Sequence, residues 1–164
     1  MKKEIEIERR FLLKKFPDAQ SFTQLCIHQF YVKEDGIIVR YRKTVDWDFQ
    51  EVIFQKFIKK NISKGINEET QFEITRDEFN TVFKKEKIPS IHKDRYIFRY
   101  EDNGPFFEVD VFHRKTPLVI CEVELKSLDQ EFTIPPYIQE VIEREITGET
   151  EYSNYNLSLD GQNL

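Results

Sequence analysis

The sequence predicts a mainly β domain of α+β type, with eight antiparallel strands flanked by two or three short helices. Three observations carry that expectation. Eight segments alternate β-branched or aromatic residues with polar ones between turn signals. Links such as "EDG", "DNGP" and "RKTP" are short and turn-rich, which favours hairpins over helical crossovers. Each strand also carries ionisable groups at alternate positions, with apolar residues between them.

The opening strand, "KEIEIERRF", puts Glu4, Glu6, Glu8 and Arg10 on one face, because side chains two apart along a strand share a side. "CIHQFYVK" and "GIIVRYRKT" follow, the latter with Arg40 and Arg42 opposite Val39 and Tyr41. The fourth, "FQEVIFQKFIKK", offers Lys56, with Lys59 and Lys60 as alternatives of register. Next come "EETQFEI" with Glu69 and Glu73, and "HKDRYIFRY" with Lys93, Arg95 and Arg99. "PFFEVDVFH" carries Glu108 and Asp110, and "PLVICEVEL" carries Glu122 and Glu124.

Between the fifth and sixth strands "TRDEFNTVFKKEKI" reads as a helix. Thr75 and Glu78 form a capping box, Phe79, Val82 and Phe83 an apolar stripe, and Pro89 a stop. After "IPP", Ile138, Val141 and Ile142 at helical spacing predict a second helix that ends at Gly148. "PDAQSF" predicts a third, short turn, and Trp47 marks a hairpin tip. The polar stretch from Thr150 to Leu164 reads as a loosely held tail.

At 164 residues the chain fits one domain with a real core. Its 25 basic and 30 acidic residues nearly balance, which argues against a nucleic-acid or membrane partner recognised by a whole-surface field. Two cysteines, Cys26 and Cys121, lack metal-ligand spacing and lie in apolar alternating segments, as buried reduced thiols do. No run approaches the roughly 20 apolar residues of a membrane helix, so a cytoplasmic protein is expected. The oligomeric state is open between monomer and homodimer.

Two architectures explain the charged face. In a sheet or sandwich, the charges look at water. In a closed barrel, they line a lumen. The signs sort by strand, carboxylates on the first and eighth, guanidinium and ammonium groups on the third and sixth. A dry lumen of this kind would cost several kcal/mol per unpaired charge, so it would have to be wet and occupied. Carboxylate pairs suit a hard dication such as Mg²⁺ or Mn²⁺, and Arg and Lys suit phosphate oxygens. Together they point to a metal–polyphosphate ligand.

The order of motifs resembles that of the CYTH superfamily, the triphosphate tunnel metalloenzymes. "EIERRF", as Glu6-x-Glu8-x-Arg10, is similar to the ExExK signature. "QFYV", "VRYR", "QKF", "FEI", "KDRY", "FEVDVF", "CEVEL", "IPP" and "EITGETEYSN" follow in the family's sequence over nearly the whole chain. Arg10 departs from the usual Lys, and the usual Thr-x-Lys of the fourth strand has Lys56 as its best match.

The resemblance implies an eight-stranded tunnel that binds a small-molecule triphosphate and a divalent metal. It implies Glu6, Glu8, Glu122 and Glu124 as metal ligands, with Asp110 as a further ligand or a partner of a coordinated water. Arg10, Arg40, Arg42, Lys56, Lys93 and Arg95 would hold phosphate, or salt-bridge the tunnel acids when it is empty. Tyr31 with Lys56 would orient or deprotonate the attacking water, which needs nearby cations to lower a phenol pKa of about 10. Glu145 is expected at the tunnel end or as a helix cap. The implied activity is hydrolysis of the terminal phosphate of a triphosphate, inorganic tripolyphosphate first. The alternatives are a class IV adenylate cyclase, a thiamine triphosphatase and a non-catalytic polyphosphate- or nucleotide-binding module.

Overall fold

The computed structural model describes residues 1–86 and 89–160. Eight strands occupy the expected segments: β1 (Lys2–Leu13), β2 (Thr23–Glu34), β3 (Ile37–Asp46), β4 (Glu51–Ser63), β5 (Ile66–Glu73), β6 (Ser90–Arg99), β7 (Phe106–Phe112) and β8 (Val119–Leu125). All pair antiparallel in the order β5-β4-β3-β2-β6-β7-β8-β1, and β5 pairs with β1, so the sheet closes. Closure decides between the two architectures: the shared charged face is the inside of a barrel. Local chemistry agrees with the topology. Asp35 and Gly36 both take positive φ (49° and 80°), the pair of left-handed residues that a tight hairpin turn requires.

The apolar faces look outward and are covered in two places. The first helix, α1 (Arg76–Glu86), starts on the expected capping box, with the Glu78 amide donating to Thr75 Oγ1 at 3.1 Å. Its Phe79, Val82 and Phe83 pack on Phe30, Tyr41 and Phe54 of β2, β3 and β4. Residues Lys87 and Ile88 of the expected helix lie outside the described residues. On the other side, Phe11, Phe98, Val109 and Val123 are covered by Phe132, Ile138 and Val141 from the segment after β8.

The expected second helix is only one turn long, α2 (Pro136–Gln139). The chain then forms a ninth strand, β9 (Ile142–Glu145), against Phe11–Leu13 of β1. The reason is the β1 edge: β5 pairs only as far as Ile7, and the unpaired backbone groups beyond it need partners. β9 overrides the helical spacing of Ile138, Val141 and Ile142 there. "PDAQSF" forms bends rather than a helix. Part of the expected tail is ordered: a 3₁₀ turn (Thr150–Tyr152) precedes α3 (Asn154–Leu159), N-capped by Ser153. Leu157 is buried with Ile91, Phe112, Ile120 and Ile146. Ile91, Phe112 and Ile120 share the inward parity of Lys93, Asp110 and Glu122, so this cluster plugs one end of the barrel. Residues 161–164 lie outside the described residues. No helix among the described residues is long and apolar enough to cross a membrane.

Candidate active site

Above the apolar plug the lumen opens into a cavity of about 470 Å³. Glu6, Glu8, Arg10, Tyr31, Arg40, Arg42, Arg95, Glu122 and Glu124 all line it, as expected. Three expected residues do not. Lys93 and Asp110 sit below the cavity floor, both fully buried. Lys56 lies off the lumen altogether, its Nζ 5.2 Å from the centre of the Phe72 ring on the outer face. The β3–β4 register puts Gln55 opposite Arg42 and Phe57 opposite Arg40, so odd-numbered residues of β4 face inward. Lys59 takes the lumen place given to Lys56. Glu145 faces neither the tunnel nor a helix end; it pairs with Arg9 at 2.7 Å on the outer face.

The backbone around β1 fixes the signature residues. The Glu8 amide donates to the Gly65 carbonyl at 2.9 Å, and the Arg10 amide donates to Thr147 Oγ1 at 2.9 Å. Gly65 has φ +74°, and a Cβ there would meet the Glu8 carbonyl oxygen at 2.8 Å, so the close approach of the β4–β5 hairpin to β1 requires glycine.

Beneath and along the cavity floor lies an ionic layer that is saturated around Asp110. Arg95 donates to both Asp110 oxygens (2.7 and 2.9 Å) and reaches Glu108 at 2.6 Å. Lys93 Nζ donates to Asp110 Oδ2 at 2.6 Å and to Asn154 Oδ1 of α3 at 3.1 Å. Arg10 Nε donates to Glu122 Oε1 at 3.2 Å. Burial alone would raise Asp110, but Arg95 and Lys93 outweigh it and hold the carboxyl well below its usual range. Burial opposes Glu122 in the same way, and Arg10 and Arg95 bring it down to about 2. Both oxygens of Asp110 are occupied, so it is committed to the wall rather than open to a metal.

The upper cavity is unsaturated. Glu8 stands directly opposite Glu124 across the β1–β8 pair, and Glu4 opposite Glu69 across β1–β5. Like charges so placed repel. Burial, then Glu122, raises Glu8; burial, then Glu6 and Glu108, raises Glu124 at the exposed rim; burial also raises Glu69 and Glu108. Lys59 Nζ lies 3.0 Å from Glu6 Oε2 and 3.4 Å from Glu8 Oε1. Arg40 reaches Glu69 at 3.1 Å and stacks on the Phe57 ring at 4.1 Å. Arg42 Nε donates to Gln29 Oε1 at 3.0 Å, and Gln29 Nε2 donates to the Tyr31 hydroxyl at 3.1 Å. Burial, then Arg40 and Arg95, pushes Arg42 down to about 9, which leaves it charged at neutral pH. Burial raises Tyr31 despite Arg40 and Arg42, so it stays a phenol, a hydrogen-bond donor rather than a base.

Buried polar atoms without a hydrogen-bond partner among the described residues gather at this cavity: Glu6 Oε2, Arg10 Nη2, Arg40 Nε and Glu149 Oε2. The Lys59 ammonium is near Glu6 Oε2 but off its hydrogen-bonding direction. Two orphaned donors and two orphaned carboxylate oxygens on one cavity fit an anion and a cation bound together. The donor set for the cation is all oxygen, which suits a hard dication. Among the described residues no three or more His, Cys, Asp or Glu side chains form a metal-binding group by themselves. Mg²⁺ and Mn²⁺ fit such a wall because they keep several waters and take phosphate oxygens to complete their shell.

Sequence reasoning missed Gln29, Asn67, and the C-terminal residues Gly148, Ser153, Asn154 and Tyr155, which also line or support the cavity. Gln29 and Asn67 were findable as polar residues at inward parity. The C-terminal set showed only in the resemblance of "EITGETEYSN", which assigned no cavity role to Gly148, Ser153 or Asn154, since its place depends on the barrel it caps.

A closed antiparallel barrel with acids and bases facing one cavity defines a charged tunnel protein. The closed tunnel and the order of its motifs resemble those of the CYTH superfamily. No family model matches it. It is 28% identical over 158 residues to the inorganic triphosphatase of Nitrosomonas europaea, covering 94% of this chain and 97% of that protein. It is 39% identical over 102 residues to the inorganic triphosphatase of Acetivibrio thermocellus, covering 60% of this chain and 61% of that protein. Among solved structures, that of an inorganic triphosphatase matches with TM-score 0.61 and 29% identity, over 94% of this chain and 97% of that one. A Bacillus halodurans protein provisionally called an adenylate cyclase shares the fold, with TM-score 0.53 and 16% identity over 85% of this chain and 98% of that one.

Proposed function

We propose that the chain is a divalent-metal-dependent triphosphatase that releases the terminal phosphate of a triphosphate, with inorganic tripolyphosphate as the simplest substrate. The observation that carries this reading is the set of orphaned atoms on one cavity: Arg10 Nη2 and Arg40 Nε ask for an anion, and Glu6 Oε2 for a cation. A likeness to an inorganic triphosphatase along 94% of the chain supports the same substrate class.

The residues divide the work by chemistry. Arg40, held by Phe57, and Arg42, held by Gln29, present guanidinium groups to the phosphate oxygens. With Arg10 they neutralise charge as it builds on the transferring phosphoryl group. Tyr31, its oxygen already accepting from Gln29, donates its proton to a phosphate oxygen. Glu6, Glu8 and Glu124 would hold Mg²⁺ or Mn²⁺. When bound, the metal supplies charge neutralisation at the phosphate oxygens and acidifies a coordinated water. Water attacks the terminal phosphorus in line, the bond from that phosphorus to the bridging oxygen breaks, and pyrophosphate leaves with the bond's electron pair. The proton lost by the water has an acceptor in the same wall in Glu69, whose carboxyl burial raises.

³¹P NMR of the products tests this. Orthophosphate and pyrophosphate should appear from tripolyphosphate in Mg²⁺ or Mn²⁺, and neither should appear with excess EDTA. Cyclic AMP and pyrophosphate from ATP would replace the hydrolase with a cyclase. Bound tripolyphosphate without products would leave a binding module.

A further inference from the structure

Lys59 contacts two of the three carboxylates assigned to the metal. Its ammonium lies 3.0 Å from Glu6 and 3.4 Å from Glu8, and its side chain is 35% exposed. Resting on the metal site proposed above, we propose that Lys59 is an internal stand-in for the metal. In the ligand-free tunnel its ammonium neutralises Glu6 and Glu8 and keeps free dication binding weak. An arriving triphosphate draws the ammonium onto phosphate oxygens and frees the carboxylates.

Three features support this. First, an ammonium and a dication within a few ångströms of the same two carboxylates repel each other strongly in a half-buried site, so one must yield. Second, the present contact is a latch and not a lock. Glu6 Oε2 gains no hydrogen bond from it, and the Glu8 contact is long. The lower layer shows the contrast, where Arg95 holds Asp110 through two well-formed bonds. Third, a lysine head on a four-carbon stem swings between partners at little cost, which a stacked or bidentate arginine does not. Arg40, Arg42 and Arg95 are all fixed by Phe57, Gln29 or Asp110. Arg10 is tied to Glu122 at 3.2 Å, which leaves Lys59, among the described residues, as the cavity cation built to move. Linkage then makes the effect reciprocal: triphosphate raises metal affinity by the same factor by which metal raises triphosphate affinity.

The test is Mn²⁺ binding to the anion-free protein, read from the electron paramagnetic resonance of unbound Mn²⁺, so it needs no turnover. Lys59→Gln should bind Mn²⁺ about tenfold more tightly than wild type. Lys59→Met, which keeps the stem, should behave alike. Arg42→Gln removes the same charge from the tunnel without touching Glu6 or Glu8 and should change binding less than about twofold, the size expected of a distant screened charge. Glu6→Gln should weaken it. If Lys59→Gln binds no more tightly while Glu6→Gln binds worse, the stand-in is wrong and the metal site stands. Equal tightening in Lys59→Gln and Arg42→Gln would also overturn the stand-in, since only the tunnel's overall field would be at work. Unchanged binding in Glu6→Gln would overturn the metal site and the inference with it.

Discussion

Near the plugged end of the lumen, Lys93, Arg95 and Asp110 satisfy one another completely, with Asp110 and Lys93 wholly out of water. Nearer Glu4 and Glu69, carboxylates face carboxylates across paired strands, and Glu6, Arg10 and Arg40 keep atoms with no hydrogen-bond partner among the described residues. The same inward parity produces both layers, so strand geometry does not explain the contrast. The partners do. Charges that close on each other build the wall; charges left open are the ones a ligand can use. The contrast separates structural from functional acids in a tunnel where all of them look alike by type.

Asp110→Ala should have the largest effect. It leaves Lys93 and Arg95 buried with an uncompensated charge, a loss of about 3–5 kcal/mol for a broken buried pair. Urea denaturation reads it. A variant as stable as wild type would break the comparison at its root. The wild type carries the same dependence on acid: the folded-state pKa of Asp110 is depressed, so its contribution is complete above the ordinary value of 3.8 and disappears as pH falls below it.

Glu8→Gln tests the other layer. Turnover of tripolyphosphate should fall at least about tenfold, as when a metal's immediate surroundings are altered. Stability at neutral pH should not fall, and should rise by no more than about 0.5 kcal/mol, because burial and Glu122 disfavour the removed charge. The pH dependence has the opposite sign to that of Asp110. The folded-state pKa of Glu8 is raised, so its contribution is complete below the ordinary value of 4.5 and is lost as pH rises through the raised value. Metal-free wild type should therefore lose stability from pH 4.5 toward 7 on account of this layer, and Glu8→Gln should lose less. Unfolding in place of lost turnover would assign Glu8 to the wall.

Arg42→Ala comes next. Loss of one charge-assisted contact, about 1.5–3 kcal/mol, corresponds to a rise of roughly ten- to hundredfold in the KM for tripolyphosphate. Steady-state kinetics at saturating Mg²⁺ checks it. Unchanged KM would remove Arg42 from the phosphate-binding set and leave Arg10 and Arg40 as its donors.

How much of this was legible depends on whether a segment's own chemistry decides its place. All eight barrel strands were, because β-branched and aromatic residues alternate with polar ones between local stop signals, as Asp35 and Gly36 bound β2 and β3. The Thr75–Glu78 box was legible for the same reason. What failed was decided at a distance. Ile142 continues the helical spacing of Ile138 and Val141, yet Ile142–Glu145 forms a strand because β1 has a free edge beyond Ile7. "NYNLSL" offers Leu157 and Leu159 without saying which is buried, and only the barrel end that takes Leu157 reveals that Asn154 belongs to the Lys93 layer. Type and strand identified the carboxylates; only geometry told Asp110 from Glu8.

Lys56→Gln should have the smallest effect, and it sharpens the comparison by testing the one strand whose inward face was ambiguous. "FQKFIKK" offers lysines to both faces, so alternation alone does not fix its phase. The β3–β4 register does, by setting Phe57 opposite Arg40, and this turns Lys59 inward and Lys56 onto Phe72. A surface lysine over an aromatic ring contributes about 0.5–1 kcal/mol at an exposed site, so stability should change by no more than that. The kcat and KM for tripolyphosphate should stay within about twofold of wild type, the scatter of an ordinary surface substitution. A large fall in kcat for Lys56→Gln, with Lys59→Gln unaffected, would mean that β4 pairs one residue out of register, which would carry every β4 side chain to the other face of the wall.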